Sequence, residues 1–346
     1  VLVASNKTGA LTASIRFSIT ALFGLWLADR YETKRLFEII SSALAIFVAM
    51  NLLLFFVFRG IGFYYDEEGR YMFRGLLTRK NAMGEELAYC LVLQVALFCM
   101  KWNDVERIEK RYLLLLAAQV FLLLETQATG ALFTALIPSV FLLLRQWNRW
   151  KFPRVPWGYV YIIASVAFLI VALTVLPFFA PLFEMLGKDA TLSNRTYLWE
   201  QVIPFMMDSH TFTGYGLLMF WYDETALQNL QNRFDRNSWF REMTYGSHNT
   251  LLEMWLDTGL IGIAVFFLVL LYSFRHVRQF REDQYQACSA FMMPLLIRGL
   301  TERSFTNANY LTLFLFVMLG IACTGNVMDP PRYPRRPFLN RESAET

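Results

Sequence analysis

Apolar runs close to bilayer-crossing length recur along the whole chain, at about 9–28, 36–58, 82–100, 112–127, 131–144, 157–178, 250–272, 286–298 and 308–324. A helix needs about 20 mainly apolar residues to cross the hydrocarbon core, where every backbone amide must find its partner inside the protein. The fifth and eighth runs are short for that and predict tilted, broken or partly re-entrant helices. Only 17% of the 346 residues are charged, against about a quarter in soluble domains. These features predict an all-α, polytopic integral membrane protein with about nine transmembrane helices, forming one transmembrane domain over 1–346. The chain opens at Val1 and leads at once into an apolar run, so further helices are expected upstream.

Charge orients the set. The links Arg30–Arg35, Lys101–Arg111, Arg145–Arg154 and Arg275–Asp283, with the end of the chain, hold eighteen Lys and Arg and fall on one side if all nine runs cross. Basic loops stay in the cytoplasm, so that side is read as cytoplasmic, with residues 325–346 as a tail that is disordered after Asp329. The other side carries Arg59–Asn81, the short Glu125–Gly130 turn, Arg298–Ala308 and residues 179–249. This last stretch has five bases against eight acids. Unstructured loops of that length are uncommon and long ones are often functional, so it is expected to fold into short helices over the membrane.

A net charge of +4 is too small to indicate nucleic acid. Cys90, Cys99, Cys288 and Cys323 lie in apolar runs without metal-ligating spacing and read as buried small hydrophobes. With three histidines in all, no multi-His metal site is expected. The residues able to do chemistry gather on the non-cytoplasmic side. Arg74, Arg79 and Lys80 precede the run at 82–100, where a helix start and neighbouring bases make a phosphate cradle; Arg59 and Arg70 read as solvated. Ser193 or Asn194 can cap a helix running to about Met206, which puts Arg195 in its first turn, a poor place for a cation unless an anion comes to it. His248 stands at the mouth of the run at 250–272, as a cap, a belt residue or a proton acceptor. Glu253 lies inside that run and needs a partner. Arg16, Glu125, Asp257, Arg298 and Glu302 sit in or near outer halves of spans and must face a cavity or one another; Arg298 and Glu302, at i,i+4, can pair. Tyr64, Tyr65, Tyr71, Phe73, Tyr197, Trp199, Phe220, Trp221, Tyr222, Trp239 and Phe240 read mostly as interfacial belt residues, with a few available to stack on sugars.

Three segments carry a resemblance. Arg74-Gly75, followed by Lys80-Asn81-Ala82-Met83-Gly84, resembles the Arg-Gly…Lys-Asn-x-x-Gly segment of bacterial exopolysaccharide polymerases. Asn194-Arg195-Thr196-Tyr197-Leu198-Trp199 is similar to their Gly/Asn-Arg-x-x-x-Trp segment. Gly214-Tyr215-Gly216, Ser247-His248-Asn249-Thr250-Leu251-Leu252-Glu253 and Thr258-Gly259-Leu260-Ile261-Gly262 resemble the carboxy-terminal signature of the O-antigen ligase and polymerase superfamily. Arg79 stands where that pattern often has His, and Gln127-Ala128-Thr129 where it often has Ser-Arg-Thr.

The resemblance implies a metal-independent, inverting glycosyltransferase of the bacterial inner membrane, without cofactor, whose active site faces the periplasm. The donor would be an oligosaccharide on undecaprenyl diphosphate. The acceptor would be a growing glycan, as in a polymerase, or lipid A-core or protein, as in an O-antigen ligase; the Lys-Asn segment favours the polymerase. A flippase and a chain-length regulator are the implied partner proteins. His248 and Arg195 would be catalytic, with His248 as base or phosphate ligand; Arg74, Lys80, Arg195 and Arg298 would hold the diphosphate, supported by Asn81, Glu253, Glu302 and Arg16. A transporter of lipid-linked sugars is the alternative from another class, but no internal repeat is visible and the ionisable groups collect at one edge instead of mid-membrane.

Overall fold

A computed structural model describes residues 4–66, 69–103, 110–148, 153–175, 195–235, 246–303 and 310–324. Among the described residues nine long helices stand where the apolar runs predict them: α1 (Lys7–Arg30), α2 (Thr33–Phe56), α4 (Lys80–Asn103), α5 (Lys110–Glu125), α6 (Thr129–Trp147), α7 (Trp157–Thr174), α10 (Thr250–Phe274), α11 (Glu282–Thr301) and α12 (Tyr310–Thr324). Among the described residues six of these, α1, α2, α4, α6, α7 and α10, are long and apolar enough to cross a membrane by length and composition. The remaining three are shorter or more polar: α5 has 16 residues, α12 has 15, and α11 has 20 with polar residues at both ends.

The two runs predicted to be short extend into full helices of 19 and 20 residues, because polar residues complete their ends. The break falls instead in α10, whose apolar run looks continuous in the sequence: Gly259 has a non-helical backbone, with φ 66°. Three of the four cysteines are buried as expected, but Cys323 on α12 is exposed, its sulfur 3.6 Å from the Ser273 hydroxyl.

Ion pairs show that the helices run between two faces. At the basic face Lys101 at the end of α4 bonds Glu38 near the start of α2 at 2.7 Å. There also Arg145 from α6 and Arg154 before α7 meet Glu282 at the start of α11, at 3.1 and 3.5 Å. At the opposite face the far end of α11 meets the start of α4, where Arg298 bonds Glu85 at 2.5 Å. Helix α11 therefore crosses the whole layer, and at 1.5 Å per residue its 20 residues span about 30 Å. It lies at the centre, packed by α4, α6, α7 and α12. Close backbone approach sets the outer contacts: a Cβ on Gly24 of α1 would lie 2.9 Å from Leu313 O of α12, and one on Gly158 of α7 2.9 Å from Leu270 O of α10. Exposed apolar side chains such as Ile19, Leu22 and Phe23 on α1 and Ile163 and Ile170 on α7 then face lipid.

On the face opposite the basic links lie α3 (Arg59–Gly62), a hairpin of β1 (Phe63–Tyr65) and β2 (Tyr71–Phe73) in register Tyr64 to Met72, and the described part of residues 179–249. That part forms α8 (Arg195–Asp208), a 3-10 turn at Phe220–Tyr222 and α9 (Glu224–Gln231). Ser193, Asn194, Arg236, Trp239, Phe240, Arg241 and the tail 325–346 lie outside the described residues.

Candidate active site

Helix α8 opens on Arg195, which reaches the end of α11 twice. Its Nη1 donates to Thr301 O at 2.5 Å and its Nη2 to Glu302 Oε1 at 2.6 Å. One turn on, the fully buried Trp199 donates Nε1–H to Ser247 O at 2.8 Å. The i,i+4 spacing of Arg195 and Trp199 thus lets one short helix grip both the end of α11 and the elbow that begins α10.

That elbow, Gly246–Asn249, is shaped by side chains. Asn249 is the cap of α10, accepting from Leu251 N and Leu252 N at 3.0 and 3.1 Å, and its Nδ2 donates to Leu300 O at 3.0 Å. Thr250 donates to Glu302 O at 2.9 Å. His248 is thereby not the cap but the residue before it, in the left-handed region at φ 51°, which turns its ring out of the helix line. Its Nδ1 lies 3.0 Å from Glu302 Oε2.

Glu302 is the meeting point: each carboxylate oxygen engages one predicted site residue, Arg195 or His248. Burial works against its charge, and the bonds from His248 and Arg195 outweigh burial, holding the carboxyl below its ordinary range. The i,i+4 pair expected of Arg298 and Glu302 gives way to these partners, because neighbouring helices offer opposite charges in better reach. Arg298 turns to Glu85, which lies within the field of Glu302 and Arg195 as well. Arg195, His248, Arg298, Glu302 and Glu85 form one cluster at this face.

Glu253 plays a different part. It is fully buried and accepts from Trp221 Nε1 at 2.8 Å, Ser247 N at 2.9 Å, Ser247 Oγ at 2.8 Å and Arg303 Nη1 at 3.3 Å. It fixes the elbow that presents His248 without facing the cluster itself. Trp199, Phe220, Trp221 and Phe73 are buried in the protein, so the belt reading fails for them; Tyr65, Tyr71 and Tyr222 are exposed.

Arg74 and Lys80 stand apart from the cluster, on the hairpin and at the start of α4. Asn51 of α2 sets this region: its Oδ1 accepts from Leu76 N at 3.0 Å, and a Cβ on Gly75 would collide with that oxygen. Arg74 donates Nε–H to Ile61 O at 3.2 Å and lies 5.8 Å from the Tyr64 ring centroid. Lys80 lies 3.8 Å from Asp66, which also holds Arg70 at 2.9 Å. Arg59 is exposed, as expected, and lies over the Phe63 ring at 5.2 Å. Asn81 is exposed in the first turn of α4, and Arg16 is exposed on α1 without a polar partner among the described residues. Gly84 packs α4 against the turn between α5 and α6, where a Cβ would lie 2.6 Å from that of Ala128.

The remaining motif residues build the break in α10. Tyr215 N and Gly216 N donate to Leu256 O and Asp257 O at 2.8 and 2.9 Å, while Leu260 N and Ile261 N donate to Thr211 O and Phe212 O at 3.0 and 3.2 Å. The segment 211–216 thus replaces the hydrogen bonds the helix loses. A Cβ on Gly214 would lie 2.6 Å from Thr258 N, and one on Gly259 2.2 Å from Phe212 C. Asp257, buried at the break, accepts from Leu218 N at 2.9 Å.

Sequence reasoning missed Glu85, Ser247 and Arg303, and misread Trp221. Glu85 carried a signal, a carboxylate inside an apolar run; the partners of the others become visible only when the helices pack. Among the described residues no three His, Cys, Asp or Glu side chains gather in a metal-ligating group.

These features define a polytopic, all-α membrane protein with a cluster of cations, carboxylates and one imidazole at the face opposite its basic links. Residues 112–267 match the family model described as O-antigen ligase, a stretch that includes Arg195, His248, Glu253 and the α10 break. The chain is similar to the exopolysaccharide production protein ExoQ of Rhizobium meliloti (strain 1021), 34% identical over 94 residues, which cover 25% of this chain and 20% of that protein. No solved structure matches. The resemblance to the O-antigen ligase and polymerase superfamily therefore stands.

Proposed function

We propose that the protein transfers oligosaccharide from undecaprenyl diphosphate to a glycan hydroxyl, by a metal-independent, inverting displacement at the periplasmic face of the bacterial inner membrane. The observation that carries this reading is the convergence of Arg195 and His248 on one carboxylate, opposite the basic face. The eighteen Lys and Arg of the links and chain end that the sequence assigns to one side support the placement of that side in the cytoplasm.

The reaction needs a proton acceptor for the attacking hydroxyl and cations for the departing diphosphate. Arginine stays protonated and cannot be the acceptor. His248 can: an ionised Glu302 accepts a hydrogen bond from Nδ1–H, which fixes the tautomer and leaves the Nε2 lone pair for the substrate. The acceptor oxygen bonds the anomeric carbon, the carbon–phosphate oxygen bond breaks, and the hydroxyl proton passes to His248 Nε2. Arg195 and Arg298 meet the charge left on undecaprenyl diphosphate, and Arg74 and Lys80, which stand apart from that cluster, are a second set of cations for the donor. A flippase would deliver the donor.

Repeat-unit polymerisation is favoured by the likeness to an exopolysaccharide production protein. The second reading, ligation of finished glycan to lipid A-core, is favoured by the matched family's description. Purified protein in lipid, given a synthetic undecaprenyl-diphosphate repeat unit with excess EDTA, is expected to make a ladder on a carbohydrate gel. Activity only after adding lipid A-core would select the ligase. Arg195→Ala and His248→Ala are expected to abolish transfer with insertion intact, and wild-type product from either would refute that residue's role.

A further inference from the structure

Glu302 touches both halves of the proposed chemistry. Oε1 takes a bond from Arg195, assigned to the diphosphate, and Oε2 one from His248, assigned to the hydroxyl proton. One carboxylate cannot serve both fully, since its charge is divided between two donors. Building on the reading above, we infer that Glu302 is an exchange latch: it occupies the anion position of Arg195 until the diphosphate takes it, and then acts wholly on His248.

Four observations support the exchange. The backbone of Glu302 is pinned on both sides, its N–H donating to Arg298 O at 2.8 Å and its carbonyl accepting from Thr250 at 2.9 Å, so only side-chain torsions need to change. The side chain is 31% exposed, which leaves room for it to swing. Arg195 keeps its second anchor at Thr301 O, so the guanidinium stays in place when the carboxylate turns away. Glu302 also caps the C-terminal end of α11, the negative end of the helix dipole. Its hold on Arg195 is thus opposed by its surroundings, and a diphosphate with more charge can displace it.

Release from Arg195 leaves the carboxylate bonded to the imidazole alone, which holds the His248 ring with Nε2 free for the hydroxyl. Donor capture would then set the His248 ring for proton transfer only when a donor is in place, and the proton would not be taken from a hydroxyl with nothing to attack. Glu302 is on this account a positioning residue, acting through Arg195 and His248 without touching the reacting atoms.

The latch predicts effects of opposite sign in one variant. Glu302→Gln, in the intact protein in lipid nanodiscs, should bind farnesyl diphosphate about tenfold more tightly, because one charge-assisted bond no longer has to be displaced. The same variant should turn over more slowly at saturating donor, since His248 loses its orienting charge. Glu302→Ala should show the same split, and Arg195→Ala should lose the farnesyl diphosphate site. Unchanged or weaker binding in both Glu302 variants, with Arg195→Ala still losing the site, would overturn the latch and leave the proposed activity standing. Binding indifferent to Arg195 would overturn both. Unfolding of both Glu302 variants would make Glu302 a strut and equally overturn the latch.

Discussion

At the scale of single residues, two glutamates in this region behave oppositely, and their partners explain why. Glu253 is sealed in and saturated with donors. Glu253→Ala should destabilise the protein by about 3 kcal/mol, since it strands Arg303, Ser247 and the Trp221 indole together, as a thermal unfolding series in detergent would show. Glu302 is half open and shares two donors. Its carboxyl is held below the ordinary glutamate value of about 4.3, so its bridges are complete above that pH and are lost as pH falls through the lower folded value. The part of the stability difference between wild type and Glu302→Gln that comes from the carboxylate, measured by melting, should therefore shrink as pH falls below about 4. A difference that grows as pH falls below about 4 would contradict this assignment. The sequence marked His248, Glu253 and Glu302 as candidates because ionisable groups at span ends are costly. It could not distribute their partners, because Arg195 with Glu302 and Arg298 with Glu85 pair across more than a hundred residues of chain.

At the scale of elements, the apolar runs located the helices to within a few residues, since burial in lipid writes itself directly into composition. What they concealed is α10. Its 25 residues read as one span, yet the helix bends at Gly259 and depends on residues 211–216 for its hydrogen bonds. Both Gly214 and Gly259 have positive φ and backbone within 3 Å of where a Cβ would sit. Gly214→Ala and Gly259→Ala should each cost at least about 2 kcal/mol, from strain and from the displaced segment, read as a fall in melting temperature. Gly130, with nothing within 4 Å of its absent Cβ, is the matched control, and Gly130→Ala should be nearly silent. Equal losses at all three positions would mean that the docked segment is not what these glycines serve. A helix carrying Arg195 and reaching about Met206 was legible in the sequence; the grip of Trp199 on Ser247 was not, because an aromatic near a membrane surface reads equally well as a belt residue.

At the scale of the whole molecule, charge separates the faces: ion pairs of Glu38 and Glu282 tie together one face, and those of Glu85 and Glu302 the other. In a Cys323→Ser background, a cysteine at Gln228 on α9 should react with a membrane-impermeant maleimide added to intact cells with a permeabilised outer membrane. One at Gln279, at the basic face, should react only after the inner membrane is opened. Labelling of both from one side would break the nine-crossing alternation on which the placement of the site rests.

The broken helix also has a bearing on biogenesis. Residues 211–216, which satisfy the amides and carbonyls around Gly259, precede α10 in the chain, so the ribosome has made the patch before the tear emerges. The lesion is mended in the order of synthesis, and a bare gap need never sit in hydrocarbon. A fault in that earlier segment would then surface as a protein degraded during insertion, well before any test of whether it can join sugars.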